Sequence, residues 1–289
     1  MTAETLEVGA VYRGPGIARR LLARPPAAVG LFVAISVILI AILAPVVAPF
    51  RPEASDFSAV LSPPTGRHLF GTDELGRDIL SRVMWGARAS MQAGLLATLI
   101  AVLVAVPVGL LAGYYRGLLD TLVMRLTDAM LAFPFLIIAV GLAAILGPSL
   151  LNATFAIGIV QAPKLIRITR GEVLSLREES FVQAAVADGA PDRSVIFRHI
   201  LPNAINALLV QATVILPFAI LAEATLSFLG LGVQPPTPSW GVMLTAAQPY
   251  LGQAPWFAIM PGLAILVTTL SFNLVGDGLR DVLDPRLDR

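Results

Sequence analysis

Cysteine is absent from this chain of 289 residues, lysine occurs once, as Lys164, and histidine twice, as His68 and His199. The missing cysteine removes disulfides, thiolate metal sites and cysteine nucleophiles together. The two histidines stand far apart, in no metal-ligand spacing. No H-E-x-x-H is present either, so a membrane-embedded metalloenzyme has no residues to work with. A phosphate-binding loop of the G-x-x-x-x-G-K-[ST] type needs a lysine after its second glycine. Lys164 follows Pro163 and precedes Leu165, so the chain carries no such ATP-binding loop. Charge is scarce as well. Only 13% of the residues are charged, about half the level of soluble domains, which argues against a water-soluble globule. The net charge of +1 implies no bulk attraction to nucleic acid.

What the chain has in quantity is apolar sequence, 56% of all residues. A helix crosses about 30 Å of hydrocarbon with roughly 20 such residues. Gaps between ionisable residues place candidate spans at 27–50 and 89–115. The stretch 129–163 is too long for one span, and Gly147-Pro148-Ser149 divides it into two. A fifth span runs from 205 to about 232, interrupted only by Glu223, and a sixth covers 257–276. Backbone groups in lipid must be paired internally, so these spans are expected to be helices. The expected fold is an all-α integral membrane protein with six transmembrane helices.

Charge placement tests that count. With the N-terminus inside, fifteen of the 20 basic residues fall on the cytoplasmic side, and the other five share one outer loop. This is the bias that orients membrane proteins, and it puts both termini in the cytoplasm. Merging 129–163 into one span would move the loop richest in arginine outside. The first apolar segment exceeds the 7–15 residues of a signal-peptide core and reads as an uncleaved anchor. The expected organisation is a tail at 1–26, a first helix at 27–50, an outer loop at 51–88, a five-helix core at 89–276 and a tail at 277–289.

In the outer loop, Thr72 or Asp73 can cap a helix start. Ile79, Leu80, Val83, Met84 and Ala87 then share one face, which predicts a short amphipathic helix lying on the outer membrane surface. His68 reads as a surface or turn residue. The loop between spans five and six is rich in proline and tryptophan and carries no charge, so it is expected to be ordered against the membrane. Glu223 is the candidate intramembrane residue, because a carboxylate within a span faces a cavity or the protein interior. We assign it a structural or gating role. Asp128 and Asp277, at span ends, are weaker candidates.

The cytoplasmic loop 164–203 contains SFVQAAVADGAPDRSVIFRHILPN at 180–203. Ser180 and Gln183 have capping-box spacing, Gly189 suits a left-handed helix stop, and Pro191 suits the first turn of a second helix. Pro202 is expected to close that second helix before span five. The result is two short helices meeting at a sharp turn. Nearly forty residues is long for an idle connection.

QAAVADGAPDRSVIFRHILP resembles the "EAA" loop of permease subunits in bacterial ABC importers: E-A-A, three residues, G, nine residues, I-x-L-P. Here Gln183 stands where the glutamate would be and His199 where the isoleucine would be. FGTDELGRDILSR at 70–82, LTDAMLAFP at 126–134, EATLSFLGLGVQPPTPSWG at 223–241 and FNLVGDGLRDVLDPRL at 272–287 are also similar to the dipeptide, oligopeptide and nickel branch, in its C-type membrane subunit. The resemblance implies the type I ABC importer permease fold in a bacterial inner membrane, and a transport subunit rather than an enzyme. It implies as partners a second, homologous permease subunit (a heterodimer), two cytoplasmic ATPase subunits that bind ATP and Mg, and an extracytoplasmic substrate-binding protein. This chain itself would hold no cofactor. It further implies an ATPase-coupling contact made by Gln183, Ala184 and Ala185 on the first helix, and by Asp188, Gly189, Ala190 and Pro191 at the turn. Asp192, Arg193, Arg198, Leu201 and Pro202 would complete it on the second helix. Peptides are the expected cargo, with nickel or another small solute as the alternative within the same machinery. An ATP-independent secondary transporter would explain six spans and Glu223, but not the paired helices.

Overall fold

The computed structural model describes residues 17–283, and the terminal tails beyond them lie outside the described residues. Eleven helices are described there: α1 (Ile17–Leu22), α2 (Pro25–Val47), α3 (Ile79–Tyr115), α4 (Gly117–Leu131), α5 (Phe135–Leu146), α6 (Leu150–Arg177), α7 (Ser180–Ala187), α8 (Asp192–Ser194), α9 (Leu201–Phe228), α10 (Trp240–Ala247) and α11 (Pro255–Leu283). A π-helical turn, Val195–Ile200, joins α8 to α9. Among the described residues there is no sheet, only two isolated bridges in the outer loop.

Small residues bring the helices together. In α2 the buried positions are Ala27, Gly30, Ala34, Ala41 and Ala44, a stripe that lets its backbone lie against α11. A Cβ on Gly30 would stand 2.7 Å from Leu274 Cβ. Ala93, Ala97, Ala101 and Ala105 repeat at four-residue intervals along α3 and are fully buried. The α3 glycines Gly109 and Gly113 meet Thr169 and Val173 of α6. In lipid no hydrophobic drive pushes helices together, so close van der Waals packing of this kind carries the association.

Four helical segments are long and apolar enough to span a membrane, or five if α4 and α5 count as one bent span. The structure departs from the sequence reading in several places. The helix expected to start at Thr72 or Asp73 begins at Ile79, with Asp78 accepting from Ser81 N at its cap. It is not a separate surface helix. It forms the first turns of the 37-residue α3, whose length of about 55 Å exceeds the hydrocarbon thickness. The third expected span is broken. Pro134 disfavours helical backbone at the residue before it, and α4 and α5 meet at 94°. Alone, α5 reaches only about 18 Å. Residues 164–177, placed in the cytoplasmic loop by sequence, continue α6 through Pro163 to Arg177. Finally, Pro202 closes nothing. In the π turn Leu201 N donates to Ile196 O, five residues back. The chain passes Pro202 without a break, and 192–228 forms one 37-residue helical run.

Candidate functional site: a polar hairpin and a buried carboxylate

The helix α7 ends as the sequence pattern requires. Gly189 adopts φ +77°, Gly189 N donates to Val186 O, and Ala190 N donates to Ala185 O, both at 3.0 Å. This pair of bonds is the Schellman closure, which satisfies the last carbonyls of the helix. The start differs from expectation. Glu179, not Ser180, is the N-cap residue, without a side-chain cap bond, and Gln183 Nε2 donates to Glu178 O at 3.2 Å. No capping box forms, because Ser180 is already inside the first turn.

The hairpin has two faces. Val182, Val195, Ile196 and Ile200 are buried against Leu110, Tyr114 and Val173, which fixes it to the ends of α3 and α6. Tyr114 OH donates to Asp192 Oδ1 at 2.7 Å, and Arg177 Nη1 donates to Tyr114 O at 2.6 Å. The other face carries Gln183, Ala184, Asp188, Gly189, Pro191, Asp192, Arg193 and Arg198, all exposed, with Ala185, Ala190 and Leu201 half-buried and Pro202 exposed. Among the described residues Asp188, Arg193 and Arg198 enter no ion pair. Val186 and Phe197 are exposed apolar side chains on the same unit. The arrangement is a rigid, apolar-backed block with a free polar and apolar crown.

Glu223 is fully buried. Its Oε1 accepts from Ser227 Oγ at 2.6 Å and its Oε2 from Ser90 Oγ at 3.2 Å. Each serine in turn accepts a backbone N–H, Ser227 from Val233 at 3.0 Å and Ser90 from Trp240 at 3.4 Å. Trp240 Nε1 also donates to Val83 O. The carboxylate therefore ties α3, α9 and the segment leading into α10. Ser227, four residues on along one helix face, was within reach of sequence reasoning. Ser90, 133 residues away, was not. Asp128 pairs with Arg167 at 2.5 Å, between α4 and α6.

The outer loop is a knot of buried charge. Asp73 accepts from Leu75 N, Arg77 N and Arg77 Nε. Asp78 holds Ser81 and His68 Nδ1, and Arg82 Nη1 donates to Pro52 O. His68 is buried and stacks on Phe50 at 5.1 Å, so it is an interior residue, not a surface one. Among the described residues no cluster of His, Asp and Glu could hold a metal ion.

Long apolar helices packed through small residues, with a polar hairpin at one end and a charged knot on the loop before α3, define a polytopic helical membrane protein. A family model, the binding-protein-dependent transport system inner membrane component, matches residues 105–289, and the N-terminal TM domain of oligopeptide transport permease C matches residues 16–64. The chain belongs to this family of inner-membrane permease components of ABC transporters. It is 47% identical over 261 residues to the dipeptide transport system permease protein of Alkalihalophilus pseudofirmus, covering 90% of this chain and 86% of that one. It is 44% identical over 267 residues to the dipeptide permease protein of Haemophilus influenzae, covering 90% of each. It is 46% identical over 264 residues to the di/tripeptide permease protein of Pseudomonas aeruginosa, covering 89% and 87%.

Proposed function

We propose that this chain is one of two homologous membrane subunits of an ATP-driven importer of short peptides. Separate ATPase subunits bind ATP and Mg and grip the hairpin, and a binding protein delivers cargo from outside. The polar crown of 183–198 is the coupling contact, and six crossings leave both termini in the cytoplasm.

The observation that carries this reading is the unbroken run from the hairpin into α9. Asp192 and Glu223 are 31 residues apart on it, about 46 Å at the helical rise. A displacement of the hairpin by its partner moves α9 as a body, because packed helices shift as units rather than bending freely. The far end of that body is the Glu223 network, which holds the segment before α10. Both ends of the described chain also support the topology. Arg24 is hydrogen-bonded to Asp281, so the start of α2 and the end of α11 share a side. The named cargo of the similar permeases, dipeptides and di/tripeptides, supports peptides as the substrate class.

A chain without cysteine makes single cysteines clean reporters. Asp188→Cys should cross-link to a coexpressed ATPase subunit and escape a membrane-impermeant maleimide applied to intact cells. Thr237→Cys, exposed in the segment before α10, should show the reverse. Labelling of Asp188→Cys from outside, or no cross-link, would overturn the assignment.

A further inference from the structure

Four basic residues lie along α6, and three are satisfied within the chain. Arg167 pairs with Asp128 and Arg170 with Asp120, while Arg177 donates to Tyr114 O and lies over its ring at 5.3 Å. Lys164, the only lysine of the protein, has no ion pair among the described residues. It falls in the middle third of α6 and lines a cavity of about 360 Å³ between α6, α9 and α11. Gln161, Gln211 and Asn273 line the same cavity, and no acidic residue does. Gln211 and Asn273 likewise fall in the middle third of their helices. None of the three amides makes a side-chain hydrogen bond among the described residues. The exposed side chains of Val214, Phe218 and Leu221 line it as well.

Lys164 is exposed where it lines the cavity, and α6, α9 and α11 place no carboxylate there to pair with its ammonium. We propose that the cavity is a carboxylate-reading station on the translocation path, in which Lys164 pairs with a carboxylate of the passing peptide. This rests on the peptide-importer reading. A lysine ammonium is a compact point charge with three donors on a flexible stem. It can follow a carboxylate over a short distance instead of clamping it in one geometry. Gln161, Gln211 and Asn273 each offer a donor and an acceptor, the complement of a peptide amide. A path needs binding strong enough for entry and loose enough for release, and one lysine with three amides is such a site. The carboxylate is either the peptide C-terminus, which every unmodified peptide has, or an acidic side chain.

The test uses the complete importer, with its partner subunits and binding protein, in proteoliposomes. Uptake of Ala-Ala, Ala-Glu and Ala-Lys is compared with ATP hydrolysis stimulated by the loaded binding protein. Lys164→Met should lower uptake about tenfold or more, the effect of losing a hydrogen-bonded charge pair, with stimulated ATP hydrolysis retained, and Lys164→Arg should restore most of the uptake. An equal loss for the three peptides assigns the contact to the C-terminal carboxylate; a larger loss for Ala-Glu assigns it to the side chain. Unchanged uptake by Lys164→Met, failure of Lys164→Arg to rescue, or a parallel fall in ATP hydrolysis would overturn the proposal. Absence of ATP-driven uptake by the unaltered importer would instead overturn the peptide-importer reading itself.

Discussion

Asp73 and Asp188 are both acidic residues in connections between helices, and their surroundings are opposite. Asp73 is fully buried, accepts three hydrogen bonds and pairs with Arg77 at 2.6 Å. Asp188 is exposed, at the C-cap of α7 in a turn that closes with backbone bonds alone. Polarity in an apolar chain thus has two uses. In the loop before α3 every carboxylate oxygen of Asp73 and Asp78 is spent inside the protein, which fixes the entry to α3 and positions Gly71 against Trp256 of α11. In the hairpin the backbone, an apolar underside and the Tyr114–Asp192 bond do the holding, and Asp188, Arg193 and Arg198 are left over for something else.

The largest test of that contrast is Asp73→Ala. It leaves Arg77 and Arg82 buried without their shared carboxylate, and breaking a buried pair by removing one partner destabilises by roughly 3–5 kcal/mol. Thermal unfolding in detergent should show this as a large fall in Tm with loss of folded protein. A Tm within a degree or two of the unaltered chain would mean that the knot is not structural. Gly189→Val is the complementary test in the hairpin. A Cβ there meets nothing within 4 Å, so membrane insertion should survive. However, a β-branched residue resists φ +77°, which misplaces the crown by distorting the turn. Substrate-stimulated ATP hydrolysis by the assembled importer should be lost, whereas Gly189→Asn, which tolerates the left-handed region, should retain most of it. Normal stimulated hydrolysis in the valine variant would break the coupling assignment.

Local chemistry was legible in the sequence wherever one residue decides the backbone. Gly189 is such a case, because few residues other than glycine close a helix this way. Apolar runs likewise located α2, α9 and α11, since hydrocarbon thickness sets their length. Reading failed where a long-range partner decides. Residues 164–177 look like a loop because they are charged. They are helical because Leu165, Ile166, Thr169 and Val173 form a buried face that packs on Gly109 and Gly113 of α3, while Asp120 and Asp128 of α4 pair with Arg170 and Arg167. Pro202 looks like a stop, and it becomes an interior residue because a π turn shifts the hydrogen-bond register ahead of it. The partners of Glu223 were hidden for the same reason, with Ser90 on α3 and Trp240 on α10 brought together only by packing. The Lys164 cavity is not legible in the sequence, because it forms only where α6, α9 and α11 meet.

The smallest effect separates the carboxylates of the outer loop from one another. Glu74 shares Arg77 with Asp73, its Oε1 accepting from Arg77 Nη2 at 2.8 Å. Its Oε2 is buried with no partner. Burial first, and then repulsion by Asp73, pushes its carboxyl above the ordinary value of 4.5, against the pull of Arg77 and Arg82. The folded state therefore keeps this proton to higher pH than the unfolded state does. The stability it contributes is present below about pH 4.5 and is lost as pH rises through the folded value. Glu74→Gln removes that loss while keeping shape and an acceptor for Arg77. Relative to the unaltered protein, the variant should gain stability as pH rises from about 4 toward 7, by less than about 1 kcal/mol because the side chain remains partly exposed. Paired Tm measurements across that range read the difference directly. A gap that closes or reverses with rising pH would show that the Arg77 pair outweighs burial at Glu74, and that Glu74 belongs with Asp73 among the charges that hold the loop.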